Sequence, residues 1–338
     1  MRRGAVVWLV AVALGASAIA LAIAFFIPWL PDSASEESER IAFVFWFTTI
    51  ICIAIFGVVA AMTLYSVVRF RAREDDDSDG PPIHGHTGLE IAWTAVPAVL
   101  VTAIAIVSAV VLARNGDAGP NPLRVDVLAQ QFAWRFTYPD NGKVTSGHLR
   151  LPVGRSVELH LQARDVIHSF WVPEFSQKQD TVPGLETTLV ITPNKVGTFP
   201  VICTELCGLG HAAMRTQAIV MPAAAFDRWI EQRTEGGGSA RDPGLAVFES
   251  AGCSGCHTLA AAKSTGTTGP ELNGLQARAQ EVGMPLEAFV RQSILEPDAR
   301  HAPGFEQGGM PDAFGDLPKE QLDALVEFIV KSTGRNSG

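Results

Sequence analysis

Cys203-Thr204-Glu205-Leu206-Cys207-Gly208-Leu209-Gly210-His211-Ala212-Ala213-Met214 places two thiols, an imidazole and a thioether within twelve residues. Such soft ligands suit copper or zinc better than a hard cation. A blue-copper site uses one thiolate, so the second thiol points elsewhere: two thiolates can bridge two copper ions, each ion then needing its own histidine. His211 supplies one. The other must come from farther away, and His168, in Val166-Ile167-His168-Ser169-Phe170, is well placed for it at a strand end. Met214 and a main-chain carbonyl are then available as weak axial ligands. Two structural alternatives compete: a Cys203–Cys207 disulfide on an oxidising face, and a Cys₂His₂ zinc site. Methionine is a poor zinc ligand, and a disulfide leaves the two histidines unexplained. His84, His86, His148 and His160 lack such a setting and read as ordinary surface or core residues.

The sequence around this stretch has the period of half-buried strands. Leu123, Val125 and Val127 alternate with polar residues, as do Val157, Leu159 and Leu161. Asp140-Asn141-Gly142 is a hairpin turn signal, and glycine- and proline-rich breaks recur from Pro120 to Pro222. A small all-β sandwich or barrel is expected there. Phe226 to Arg233 then reads as a short helix, and Glu235 to Gly244 as a flexible linker. A ten-residue linker of this kind spans about 18 Å r.m.s., which holds its module at about millimolar effective concentration.

Beyond the linker the chain is helical. Asp242 as N-cap with Pro243 at the first helical position opens one helix, Pro285 to Leu295 reads as a second, and Leu322, Leu325, Val326 and Ile329 form the apolar face of a third. Cys253-Ser254-Gly255-Cys256-His257 is a C-x-x-C-H motif, the attachment signature of a c-type haem. Its spacing follows from the chemistry: thiols one helical turn apart reach two vinyl groups of one porphyrin, and the adjacent histidine lies under the iron. Met310, Met284 and His301 are candidates for the sixth ligand. Met284 directly precedes a helix start and reads as packing. Met310, in Gly308-Gly309-Met310-Pro311, is favoured because its loop can carry the sulfur to the ring. This region resembles class I cytochrome c domains, with Gly269-Pro270, Met310-Pro311 and the terminal helix where that family has them.

Composition locates the rest. The 338 residues are 47% hydrophobic and only 18% charged, against about 25% charged in ordinary soluble domains. The apolar excess sits in three runs, Ala5–Leu30, Ile41–Val68 and Ile91–Ala113, each reaching the ~20 residues that cross a bilayer. Arg69, Arg71 and Arg73 put the end of the second run in the cytoplasm, as Arg2 and Arg3 do the amino terminus. The acidic segment Asp32–Glu39 and everything after Arg114 then lie outside. The first run reads as a retained helix or as a cleaved signal peptide. Thr87-Gly88-Leu89-Glu90 reads as a capping box opening the third span, and Pro97 lies inside it. A net charge of −9 with no basic stripe argues against nucleic-acid binding.

From about Ile41 to Pro222 the chain resembles subunit II of cytochrome c oxidase, whose binuclear CuA centre has the pattern C-x-E-x-C-x3-H-x2-M. The resemblance implies a cupredoxin-like all-β Greek-key barrel after transmembrane helices, and a subset of the family appends a cytochrome c domain, here all-α. It implies two copper ions on His168, Cys203, Glu205 (through its carbonyl), Cys207, His211 and Met214, with the Glu205 carboxylate also sharing a magnesium ion with subunit I. Glu90-Ile91-Ala92-Trp93 matches the family's E-x-x-W, whose glutamate stands at a proton-channel entrance. Where the family has W-x-W in its electron-accepting segment, this chain has Phe132-Ala133-Trp134, which puts in doubt the usual route from a separate cytochrome c.

The layout expected is 1–40 an N-terminal membrane helix or signal peptide with an acidic loop, 41–113 a transmembrane hairpin, 120–222 the CuA domain, 223–241 a short helix and linker, and 242–335 the cytochrome domain. The function expected is electron transfer from covalent haem c to CuA, and on to the oxygen-reducing centre of subunit I of a proton-translocating oxidase. Expected partners are subunit I, further oxidase subunits and an upstream cytochrome or quinol–cytochrome c reductase, in a bacterial cell membrane with both soluble modules on the extracytoplasmic face. A quinol oxidase subunit would lack the copper ligands. A copper-delivery protein or stand-alone carrier would purify without a large multi-helix partner.

Overall fold

The computed structural model describes residues 3–71, 82, 84–235, 242–267, 269–305, 310 and 313–333. Arg2, Arg73, linker residues 236–241, and Gly308, Gly309 and Pro311 beside Met310 lie outside the described residues. The chain divides into two compact units: 1–32 with 39–115, and 33–38 with 116–338.

The first unit holds α1 (Arg3–Phe26), α2 (Glu36–Arg69) and α3 (Thr87–Asn115), each long and apolar enough to cross a membrane. Helices apolar on every side must present that surface to lipid or to other helices. α1 lies along α2, with Trp8 against Tyr65 at one end, Phe25 stacked on Trp46 at the other, and Ser17 Oγ donating to the Ile53 carbonyl at 3.3 Å between them. Gly57 makes the approach possible, because a Cβ there would run into Ser17 Oγ and the Ala13 carbonyl. The cap of α3 differs from the expected one. His86, not Thr87, is the capping residue: its Nδ1 accepts from Leu89 N–H (3.2 Å), and Glu90 Oε1 accepts from His86 N–H (3.0 Å). An imidazole can cap as a hydroxyl does when Nδ1 carries the lone pair, so the box starts one residue early.

The second unit begins with two five-stranded sheets enclosing one core. In chain order the strands are β1 (Leu123–Gln130), β2 (Ala133–Tyr138), β3 (Val144–Ser146), β4 (Leu149–Pro152), β5 (Val157–Ala163), β6 (His168–Val172), β7 (Gln177–Thr181), β8 (Thr187–Ile191), β9 (Gly197–Cys203) and β10 (Arg215–Met221). One sheet runs β3-β2-β1-β5-β8, the other β4-β10-β9-β6-β7. The alternation read in the sequence is the inward face of the first sheet: Val125, Leu159 and Leu161 are fully buried, and β1 pairs in parallel with β5. The Asp140-Asn141-Gly142 turn joins β2 to β3. The segment Ser33–Ser38 is tied to this module, with Ala34 N–H donating to the Glu174 carbonyl and Glu37 Oε2 accepting from Thr192 N–H.

α4 (Ala223–Glu235) closes the sandwich by packing Phe226 and Trp229 on buried Tyr138. The helical module follows: α5 (Pro243–Ser250), α6 (Cys253–Cys256), α7 (Leu275–Glu281), α8 (Leu286–Leu295) and α9 (Lys319–Thr333). Asp242 caps α5, accepting from Gly244 N–H at 2.9 Å. Leu322, Leu325, Val326 and Ile329 of α9 are all buried against Phe248, Val290 and Leu275 in a second core. Each such side chain contributes about 1.5–3 kcal/mol by leaving water, so the module has a core of its own.

Candidate metal centre and haem pocket

β9 and β10 are antiparallel neighbours, and their connection is the ligand-bearing stretch: Cys203 ends β9, Arg215 opens β10, and Cys203 N–H donates to the Met214 carbonyl at 3.2 Å to close the loop. β6 lies on the other side of β9, with Phe170 opposite Cys203. His168, at the start of β6, is thereby delivered to a thiol 35 residues away in sequence.

The six expected ligand positions converge. Cys203 Sγ lies 3.8 Å from Cys207 Sγ, far beyond the ~2.05 Å of a disulfide. His168 Nδ1 is 3.9 Å from Cys203 Sγ, and His211 Nδ1 is 3.6 Å from Cys207 Sγ. Met214 Sδ approaches Cys207 Sγ at 3.9 Å, and the Glu205 carbonyl approaches Cys203 Sγ at 3.3 Å. Two central thiols, each flanked by one imidazole and one weak donor, are the chemistry of a dithiolate-bridged pair of soft ions. His168, Cys203, Cys207 and Met214 are all buried, so a charged cluster there is screened from water.

The electrostatics favour deprotonation at one thiol first. Burial acts to raise the Cys203 thiol, but its contacts with His168, Ser169, Glu205 and His211 bring it down to about 6. Burial and the neighbouring Cys203 charge push Cys207 up to about 12.

Three residues that the sequence did not single out hold this geometry. Asp165 Oδ1 accepts from His168 Nε2–H at 2.8 Å, which leaves Nδ1 with its lone pair facing the thiols. Its two oxygens also accept from the Gln131 and Val166 amides at 2.7 Å each. Burial alone would raise this carboxyl, yet the three donors hold it below the usual carboxylate range. Gln131 Nε2 donates to the Cys207 carbonyl. Gly208 has φ +131°, and a Cβ on it would press on Gln131 and on the Phe132 ring. Asp165 is three residues before His168, a spacing with no meaning until the strand end curls back.

Phe132 and Trp134, expected in the electron-accepting segment, face different partners. Trp134 is buried edge-on to His168 and Phe170, at 6.3 and 5.6 Å between ring centroids. Phe132 lies across the Gly208–Gly210 backbone and lines a cavity of about 400 Å³ whose other walls are Cys253, Cys256, His257, Met310 and His301. That volume falls in the range of small-molecule and cofactor pockets.

The cavity suits a porphyrin held by C-x-x-C-H. α6 sets the two cysteines one turn apart. His257 Nδ1–H donates to the Pro270 carbonyl at 2.8 Å, leaving Nε2 as the metal-binding nitrogen, and Gly269 is bare because a Cβ would strike the imidazole. Burial lowers the basicity of His257, with Arg278 adding to the effect. Met310 lines this cavity; Met284 packs against the helical core without lining it.

Two modules carrying metal- and haem-type side-chain sets beside three membrane-length helices fit one class, the subunit of a larger membrane oxidoreductase. Family comparison finds three matches: residues 20–111 match the transmembrane domain of cytochrome c oxidase subunit II, 144–222 its periplasmic domain, and 242–333 cytochrome c. The chain is 35% identical to cytochrome c oxidase subunit 2 of Synechocystis sp., over 60% of this chain and 74% of that one. It is 31% identical to the subunit 2 of Alkalihalophilus pseudofirmus, over 80% of this chain and 81% of that one. The solved periplasmic domain of subunit II of cytochrome oxidase from Bradyrhizobium japonicum is 27% identical, covers 36% of this chain and 99% of its own, and superposes with a TM-score of 0.34. The chain belongs to the cytochrome c oxidase subunit II family, with a cytochrome c domain fused at its carboxyl side. The periplasmic domain of that family implies the CuA copper centre, and the cytochrome c domain implies haem.

Proposed function

We propose that this chain takes electrons onto a covalent haem c, passes them to binuclear CuA, and delivers them to the oxygen-reducing centre of subunit I in a proton-translocating oxidase. The observation that carries this reading is the shared wall: Phe132, Ala133 and Leu209 of the copper module line the same cavity as Cys253, Cys256, His257 and Met310. Bound copper and haem each supply a reversible one-electron step.

The residues divide that work. Cys203, Cys207, His168, His211, Met214 and the Glu205 carbonyl would hold two copper ions, the thiols shared and the imidazoles and weaker donors at either side. Asp165 fixes the His168 ring, and the Pro270 carbonyl fixes His257. Cys253 and Cys256 would anchor a haem, with His257 and Met310 positioned to ligate its iron. Phe132, 8% exposed, excludes water between the two sites. The Glu205 carboxylate would share a magnesium ion with subunit I. Glu90, at the start of α3, stands at the entrance of the proton channel. Both soluble modules lie on the extracytoplasmic face of a bacterial cell membrane, where an upstream cytochrome or quinol–cytochrome c reductase reduces the haem.

Metal analysis of the purified complex tests the ligand sets, with two coppers per covalent haem expected; one copper or one zinc per haem overturns the binuclear reading. His168→Ala is expected to abolish the mixed-valence copper absorption and leave the haem spectrum intact. A variant with Cys253→Ala and Cys256→Ala, retaining copper, is expected to lose most oxidation of a soluble cytochrome c. Undiminished turnover there would show that electrons reach copper without the fused haem.

A further inference from the structure

The helical module meets the β module along a seam that runs beside both ligand sets without using a ligand side chain, and three glycines stand where the two modules approach. A Cβ on Gly147, between β3 and β4, would lie 3.0 Å from the Glu249 carbonyl and 3.4 Å from Ser254 Oγ. One on Gly252 would lie 2.5 Å from the Ala133 Cβ, and one on Gly255 would reach the Arg215 carbonyl at 3.7 Å. A Cβ at Gly252 would overlap the Ala133 Cβ outright, and one at Gly147 would be tight against the Glu249 carbonyl, so a branched side chain at Gly147 presses on the seam and any side chain at Gly252 displaces it. Beside the glycines, Arg233 near the end of α4 meets Glu249 of α5 at 2.7 Å, with the two side chains only 16% and 20% exposed. The Arg233 guanidinium lies 5.8 Å over the Trp229 ring, which Arg150 also covers at 5.0 Å. A charge-assisted hydrogen bond that is mostly shielded and stacked on an aromatic ring holds better than an ordinary surface pair.

We propose that this seam is a docking clasp. It seats the cytochrome module in one pose on the copper module, so that electrons leave a fixed haem and not one swinging at the end of its linker. The proposal rests on the haem-to-copper route given above and adds what sets its rate. The linker alone would let the module wander over about 18 Å; close contact at Gly147 and Gly252, locked by the Arg233–Glu249 pair, removes that freedom. Gly147, in the β3–β4 turn, and the Arg233–Glu249 pair of α4 and α5 involve no metal or haem ligand, so they can be changed one at a time.

The test uses the complete detergent-solubilised oxidase with Gly147→Val, with Arg233→Glu, and with the exchanged pair Arg233→Glu plus Glu249→Arg. Haem and copper spectra are recorded, the haem-to-copper transfer rate is followed after flash reduction with and without added glycerol, and the distance between spin labels at Arg155→Cys and Glu287→Cys is measured in a Cys52→Ser background. In the otherwise unaltered chain a fixed pose gives a rate independent of viscosity and one narrow distance. Both single variants are expected to keep their spectra, transfer about tenfold more slowly, equivalent to about 1.4 kcal/mol of docking, become viscosity-dependent, and broaden the distance distribution. The exchanged pair is expected to recover most of the rate. If Gly147→Val fails to load haem, the Arg233→Glu and exchanged-pair results decide. Single variants that keep a full, viscosity-independent rate and a narrow distance would overturn the clasp and leave the electron route standing. Absence of haem-to-copper transfer in the unaltered chain would overturn the route, and the clasp's role with it.

Discussion

Replacing Asp165 with asparagine tests whether the copper site is held from outside its ligand set. Three donors converge on this carboxylate: His168 Nε2–H and Val166 N–H on Oδ1, at 2.8 and 2.7 Å, and Gln131 N–H on Oδ2 at 2.7 Å. Asparagine offers a single acceptor oxygen, so either its amide NH₂ faces Gln131 N–H, or it faces both His168 and Val166. Each orientation strands at least one donor, at about 1–3 kcal/mol when the group is shielded from water. The ring of His168 is fully buried and has no other support on its Nε2 side among the described residues. Loss of a ligand-orienting partner typically costs 10–100-fold in metal affinity. Asp165→Asn is therefore expected to weaken copper binding about 10–100-fold, as read by competition against a chelator of known affinity, and to shift the mixed-valence spectrum without abolishing it. The haem spectrum should not change. Copper affinity within twofold of the unaltered protein would refute the argument that Asp165 sets the His168 ring.

Three further outcomes are expected. Met310→Ala should remove the sulfur-to-iron charge-transfer band of the ferric haem, and Met284→Ala should leave it, because only Met310 lines the cavity; the reverse pattern would reassign the ligand. Tyr138→Phe should lower stability by about 1–3 kcal/mol in chemical unfolding, since its hydroxyl donates to the Arg150 carbonyl at 2.8 Å and accepts from the Arg150 amide at 2.7 Å inside the core. Burial raises the Tyr138 phenol, outweighing its contacts with Arg150, so its contribution is complete below an unfolded-state value of about 10 and is lost as pH rises above it. The alkaline decline in stability should accordingly be shallower in Tyr138→Phe, and an unchanged slope would show that this phenol does not drive it.

Local chemistry was legible in the residues themselves. The Cys203–Met214 stretch narrows its metal to a soft ion because ligand softness is a property of side chains, and Cys253-Ser254-Gly255-Cys256-His257 points to a haem because the spacing matches one porphyrin. Strand alternation in 123–127 and 157–161, the Asp242-Pro243 helix start and the buried face of α9 also follow from periods of two and 3.6 residues that any short window contains. The membrane runs follow from length and apolarity alone.

Tertiary structure decided what depends on distance between remote segments. His168 reaches Cys203 because β6 and β9 are neighbours in a sheet, and Asp165 acquires its role only once His168 has turned toward the thiols. The cap of α3 passed from Thr87 to His86 because an imidazole Nδ1 happened to face Leu89 N–H, which residue type could not foretell. Phe132, in the sequence only a departure from a tryptophan pattern, became the wall between two sites because the helical module lies against it. The bare glycines 147 and 252 carry no signal in the chain. The missing side chain at Gly147 acquires meaning only because the Glu249 carbonyl stands where it would have been, and at Gly252 because the Ala133 side chain does, on a backbone already held at φ +79°.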